Sequence, residues 1–427
     1  MLRTNMLARP RTYVMAFILY AAAIALYLAV AMRQPIPPYA AGTAADPATF
    51  LDPELYERSL IYSAQRNWLF FISYPWEWLV YGWVVFSGLG LRWEQRLEQS
   101  TTWNRVKWLK LPLFVLLLQT FVFVCFLPIR LTSYTLSRAN GISTQGWGSW
   151  LRDRAVDFGV DFIMLSLGAA VVLWLIRRGG RWWVKLWLLS VPVTLFLMYI
   201  QPVVIDPLYN DFKRLSNAQL EAKLLALADK ANIPADRVFE VNVSEKTNAL
   251  NAYVNGIGSS LRIVLWDTTL ERLTEQEIMV IMAHEMGHYA MHHLEWSAVG
   301  AIGSSLVGLA LSGVAAEHLF RRLRKGTLIS APGALSSLPV LLLLLSVVSF
   351  ASLPVANTVS RQAEHAADRY AFELLGSTEG AVTMFQKLAA ASLSEMNPPW
   401  LVKLFRASHP SLLERIEYAA VRERHEP

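Results

Sequence analysis

Apolar runs about twenty residues long recur seven times along the chain, at 13–32, 69–91, 111–129, 156–176, 182–204, 297–318 and 335–356, and a run of that length crosses the hydrocarbon core of a bilayer as one helix. Nothing else restricts the fold so strongly, because in lipid every backbone N–H and C=O must be satisfied within protein. The chain reads as mainly α and polytopic. With 54% hydrophobic and 12% aromatic residues it is too apolar for an ordinary pair of soluble domains. Trp76, Trp78, Trp103, Trp108, Trp182 and Trp183 sit at span ends, where amphipathic rings suit the headgroup layer. Arg3, Arg9 and Arg11 before the first run would also suit a signal peptide. That run is long, and no small-residue cleavage site follows at once, so it reads as an anchor.

The formal charge of +6 is read as lysine and arginine in short connecting loops, with no basic patch interleaved with aromatics outside those loops, so the expected partner is the lipid bilayer and not nucleic acid. Cys125 is the one cysteine and excludes an intrachain disulfide. Two polar segments, 206–295 and 357–427, interrupt the apolar pattern. They divide the chain into a block of five spans (1–206), a polar segment (207–295), two more spans (296–356) and a carboxy-terminal segment (357–427). Within the first polar segment, 220–231 has an amphipathic helical pattern, and 238–243 and 261–266 read as strands separated by a loop rich in Asn and Gly. Helix, strand pair and a further helix make a small α+β unit, and an edge strand there could hold an extended peptide by main-chain hydrogen bonds.

That further helix carries His284-Glu285-Met286-Gly287-His288. Thr274-Glu275-Gln276-Glu277 predicts a capping box at its start, and Ile278, Met279, Ile281, Met282 and Ala283 are suitable helical filling. Four residues apart on a helix, His284 and His288 share a face and can reach one zinc ion, with Glu285 beside them to take a proton from the attacking water. A catalytic site needs a third protein ligand. The position six residues past the second histidine is Leu294, which cannot serve. Glu364 and Asp368 share a helical face, so one could bind metal while the other hydrogen-bonds a ligand histidine from behind. Spacing alone weighs this equally against solvated charges paired with Arg361 or Arg369, and His292, His293 and His365 compete as ligands.

The HExxH segment, the Glu364–Asp368 pair with Ala367 before the aspartate, Asn251-Ala252-Tyr253, and Ser408-His409-Pro410 followed by Glu414-Arg415 together resemble the M48 metallopeptidases. With seven spans and the motif between the fifth and sixth, the chain is similar to their membrane-integrated branch, the type 1 CAAX prenyl proteases. The resemblance implies one zinc ion per chain held by His284, His288 and Glu364, with Glu285 as general base and Asp368 behind the ligands. It implies that Asn251, Ala252 and Tyr253 line the substrate groove, that His409 hydrogen-bonds the tetrahedral intermediate, and that Arg415 braces the site. It further implies a seven-helix chamber closed at one end by a small zincin-like (gluzincin) domain, and peptide or protein substrates that are prenylated or membrane-associated. Eukaryotic members trim the last three residues from farnesylated CaaX proteins.

Asp157, Asp161 and Glu77 fall near or within spans, which suits a polar cavity as well as an interface or a helix break near Pro75. Lysine and arginine are dense before the first span, in the second loop (Arg92, Arg96, Arg105, Lys107, Lys110), the fourth (Arg177, Arg178, Arg181) and the sixth (Arg321, Arg322, Arg324, Lys325). The loop after the first span is acidic, with Asp46, Asp52, Glu54 and Glu57. Positive charge favours the cytoplasm, so this count puts the amino terminus there and the zinc domain on the opposite face, whereas the eukaryotic resemblance implies a cytosolic zinc domain. The terminal Arg422-Glu423-Arg424-His425-Glu426-Pro427 carries no dilysine or KDEL signal. Two other readings remain: a quality-control protease of the same fold without prenyl preference, and a non-enzymatic transporter or receptor with a structural metal. The last fits poorly, because a structural zinc would close its fourth position with Cys or His and no cysteine is near.

Overall fold

A computed structural model describes residues 10–32, 36–100, 105–256 and 261–424. Arg3, Arg9, Trp103 and residues 425–427 lie outside them. Among the described residues, six segments are helices long and apolar enough by composition to cross a membrane: Thr12–Ala31, Lys107–Ala139, Trp147–Arg178, Trp182–Leu208, His293–Lys325 and Leu335–Leu375. Their core helices are α1 (Pro10–Ala31), α4 (Lys110–Ala139), α5 (Trp147–Arg178), α6 (Trp182–Ile200), α10 (His293–Lys325) and α11 (Leu338–Leu375). Leu26, Leu188, Val307 and Val355 on these helices are exposed, as lipid-facing side chains are.

The span expected at 69–91 lies within a longer and more polar helix, so its bounds differ from the apolar run. Its helix, α2, runs Pro53–Phe86, and the chain turns at Gly88, whose φ of 72° an L side chain rarely adopts, before α3 (Leu89–Gln99). The Asp52 side chain accepts from Leu55 N at 2.9 Å and Pro53 occupies the first turn, so the helix starts well before the apolar run. Arg66, Asn67 and Glu77 make α2 more polar than the six, and it packs inward against α1, α4 and α11. Glu77 accepts a 2.5 Å hydrogen bond from Ser346 on α11. Asp157 accepts from Tyr209 Oη at 2.6 Å, and Asp161 shares a cavity of about 430 Å³ with Arg130, Gln119 and Tyr81. All three acids face polar partners or space inside the helical assembly, as expected of a chamber wall.

The last span and the start of the carboxy-terminal polar segment, as far as Leu375, are one helix. α11 continues unbroken through residue 357, although the sequence changes there from apolar to polar, because Asn357-Thr358-Val359-Ser360 stays helical against its neighbours. One rigid rod therefore joins the membrane to the residues around Glu364.

The polar segments pack as a small α+β unit. α7 (Ala218–Lys230), capped by Asn217, covers a four-stranded sheet ordered β1-β2-β4-β3. β1 (Phe212–Arg214) is antiparallel to β2 (Val238–Val241), which is parallel to β4 (Arg262–Trp266). The Asn-rich loop expected before β4 contains a strand, β3 (Ala252–Asn255), antiparallel to β4 with Ala252 opposite Leu265 and Tyr253 opposite Val264. Four residues flanked by asparagines are too few to read as a strand until their partner is known. β3 is a sheet edge. After β4 come α8 (Asp267–Arg272), α9 (Glu275–Ala290) with the expected capping box between Thr274 and Glu277, α12 (Ala381–Ser392), α13 (Trp400–Phe405) and α14 (Leu412–Glu423). Leu224, Ile263, Met282, Met286, Phe385 and Ile416 form the core that holds these elements together. Lys246 ties the unit to α5 through Asp153, with contacts of 2.8 and 3.1 Å.

Candidate active site

The site lies where α9 crosses α11. Gly287 permits the crossing: a Cβ there would stand 3.1 Å from Tyr370 Cδ1 and 3.4 Å from Ala367 Cα. With small residues on both helices, the two backbones approach and the polar faces beside them meet.

His284 and His288, one turn apart on α9, turn their Nε2 atoms to within 3.1 Å of each other. Glu364 reaches in from α11, its Oε2 3.3 Å from His284 Nε2 and its Oε1 3.4 Å from His288 Nε2. One ligand atom from each of the three lies within 4.8 Å of the others, the one such grouping among the described residues. Glu364 Oε2 is buried yet accepts no hydrogen bond. A buried carboxylate set against two imidazole lone pairs, one at each oxygen, is costly unless a cation satisfies all three groups. His284 reports the same demand. Burial opposes its protonation, but the Asp368 and Glu364 carboxylates beside its ring raise its pKa to about 9, so the pocket favours positive charge. The donor set fits a divalent metal.

Behind the histidine pair, Asp368 Oδ1 is 2.8 Å from His284 Nδ1. Arg415, buried on α14, donates to the same carboxylate and lies over the Phe385 ring, 4.4 Å from its centroid. Glu285 is half-buried beside the cluster, and desolvation raises its pKa above the ordinary carboxylate value, in spite of the neighbouring histidines. His409 precedes the Ser411 cap of α14, with its Nε2 3.4 Å from Glu364 Oε1 and its Nδ1 3.0 Å from Ser408 Oγ. Desolvation holds the His409 pKa below its usual value, so the ring is neutral near pH 7.

Asn251, Ala252 and Tyr253 lead into edge strand β3, which packs against α9. Burial pushes the Tyr253 hydroxyl up to about 12. Thr269, which no motif signals, is fully buried on α8 and brackets Asn251: its Oγ1 accepts from Asn251 N at 2.9 Å and donates to Asn251 O at 2.7 Å. The competing ligand candidates stand apart from the cluster. His365 is exposed, His292 faces Glu295 at 3.4 Å, and His293 meets the far side of His288.

Residues 214–423 match peptidase family M48, and residues 16–211 match the CAAX prenyl protease N-terminal region of five membrane helices. A Bacillus subtilis (strain 168) protein described as uncharacterized metalloprotease YhfN is 44% identical over 95% of this chain and 95% of its own length. The chain belongs to peptidase family M48. An Arabidopsis thaliana protein named CAAX prenyl protease 1 homolog is 28% identical to this M48 peptidase, over 86% of this chain and 87% of its own. The crystal structure of S. mikatae Ste24p superposes with a TM-score of 0.77 at 21% identity, covering 95% of this chain and 97% of that one, which establishes the chamber-forming fold. The protein is a membrane-integrated metallopeptidase resembling the type 1 CAAX prenyl proteases.

Proposed function

We propose that this M48 peptidase is a zinc endopeptidase in which His284, His288 and Glu364 hold the metal. The observation that carries the reading is the buried Glu364 carboxylate set against two imidazole nitrogens, its Oε2 without a hydrogen bond beside His284 Nε2 and its Oε1 beside His288 Nε2. A zinc ion bound by these residues supplies Lewis-acid polarisation of a water and of the scissile carbonyl. Glu285 takes the proton of the attacking water, aided by a raised pKa that makes it a stronger base. It then delivers that proton to the amine as the C–N bond breaks. His409, neutral and at the mouth of the cluster, donates an N–H to the developing oxyanion. Asp368 orients His284, and Arg415 keeps Asp368 ionised and in place. Asn251, Ala252 and Tyr253 hold the substrate backbone as an added strand on β3.

Its substrates are membrane-associated peptides or proteins, prenylated ones included, by analogy with the named relatives. The functional division follows the segments 1–206, 207–295, 296–356 and 357–427, the last two sharing α11. Turnover of a farnesylated peptide beside its unprenylated twin tests the reading. The Glu285→Gln protein is the control and is expected to retain metal while losing turnover. Equal cleavage of the twins by the wild type would remove prenyl preference in favour of a general quality-control role, and a fully active Glu285→Gln protein would remove Glu285 from the mechanism. Loop charge supports a zinc domain on the non-cytoplasmic face. A carboxy-terminal reporter active only in the cytoplasm should stay silent, and activity would refute that orientation.

A further inference from the structure

α9 ends at Ala290, and α10, a membrane-spanning helix, starts at His293. Between them His292 has a φ of 56°, a left-handed conformation uncommon for a residue with a side chain. This turn reverses the chain enough to bring the first side chain of α10 back over the last turn of α9. His293 Nδ1 consequently lies 2.9 Å from His288 Nδ1, with the ring centroids 5.0 Å apart.

Two facing ring nitrogens form a hydrogen bond only if one carries the proton and the other a lone pair. His288 Nε2 points at His284 Nε2 and Glu364 Oε1, so its lone pair is committed to the metal cluster. The proton of neutral His288 must then be on Nδ1, and His293 Nδ1 is the acceptor. His284 has the corresponding arrangement with Asp368, whose carboxylate accepts from Nδ1 at 2.8 Å. The two imidazoles thus differ in their backing, one anionic and one neutral.

We propose that His293 is a positioning residue for the metal site: by accepting the Nδ1 proton of His288 it sets that ligand's tautomer and ring orientation, and it links the site to the start of α10. The inference rests on His288 being a metal ligand. His293 touches neither substrate nor metal, so its effect passes through His288 and appears first in metal affinity.

The test is Zn²⁺ affinity, measured on the full-length protein in detergent by competition with a chromogenic chelator. His293→Ala removes the acceptor and is expected to weaken zinc binding about 10–100-fold. His293→Asn puts an amide oxygen where Nδ1 stood and should bind zinc close to wild type. His293→Asp, with a charged acceptor, should bind at least as tightly. His293→Gln carries its oxygen one bond too far and should resemble Ala. Rescue by Asn and Asp but not Gln separates acceptor geometry from simple packing. Equal affinity across the series, or losses that do not follow the acceptor, would overturn the role of His293 while leaving His288 a ligand. A wild-type protein that binds no zinc would overturn both.

Discussion

Arg415 holds the Asp368 carboxylate with two hydrogen bonds, 2.9 Å from Nε and 2.6 Å from Nη2. Both residues are buried, and the same carboxylate reaches His284 Nδ1. α14 thereby controls the charge behind His284 on α9, through a residue on α11. Removing either partner leaves the other charge buried and unpaired, which costs about 3–5 kcal/mol.

Asp368→Asn is accordingly expected to lower zinc affinity about 10–100-fold and to destabilise the fold through the stranded Arg415. Adding Arg415→Gln should recover the thermal midpoint without recovering affinity. If the double variant regains full affinity, the Asp368 charge does not act on His284.

Glu364→Ala should lower zinc occupancy far more than His365→Ala, although the two residues are adjacent. The helical turn buries Glu364 against the histidine pair and leaves His365 exposed. Metal content after dialysis decides this, and equal retention would send the third-ligand assignment elsewhere.

Gly287→Ala places a methyl 3.1 Å from Tyr370 Cδ1 at the closest approach of α9 and α11. Overpacking of this kind costs about 1–3 kcal/mol and should also separate Glu364 from the histidines. Both the thermal midpoint and zinc affinity should fall, and Tyr370→Ala in the same chain should restore part of each. An unchanged midpoint would mean that the crossing has slack.

Elements defined by local periodicity were legible in the sequence. The α9 cap, the shared face of His284 and His288, and the pairing of Glu364 with Asp368 follow from residues within four positions of one another. Elements defined by distant partners were not. β3 exists because β4 lies beside it, and four residues between asparagines do not announce a strand. α11 continues past residue 357 although Asn357, Thr358, Val359 and Ser360 are weak helix formers, with Asn357 donating to Leu404 O at 3.2 Å, so a reading by apolar content ends it too soon. His293 looked like a rival ligand because sequence spacing does not reveal which side of His288 it meets, and a left-handed residue at 292 decides that.

The last prediction concerns how the substrate strand is held. Thr269 Oγ1 both accepts from and donates to the backbone of Asn251, at 2.9 and 2.7 Å, at the start of β3. Thr269→Val keeps the shape and removes both bonds, leaving the Asn251 N–H without this acceptor, at a cost of about 1–3 kcal/mol. If peptides bind as an added strand on β3, the loosened edge should raise KM on the order of tenfold, since every 1.4 kcal/mol of binding is a factor of ten. Zinc content should not change, because neither Thr269 nor Asn251 touches the ligand cluster. Thr269→Ser preserves the hydroxyl and should remain near wild type. A raised KM in Val but not Ser ties the effect to the hydrogen bonds. An unchanged KM in both would mean that the substrate backbone is held elsewhere than along β3.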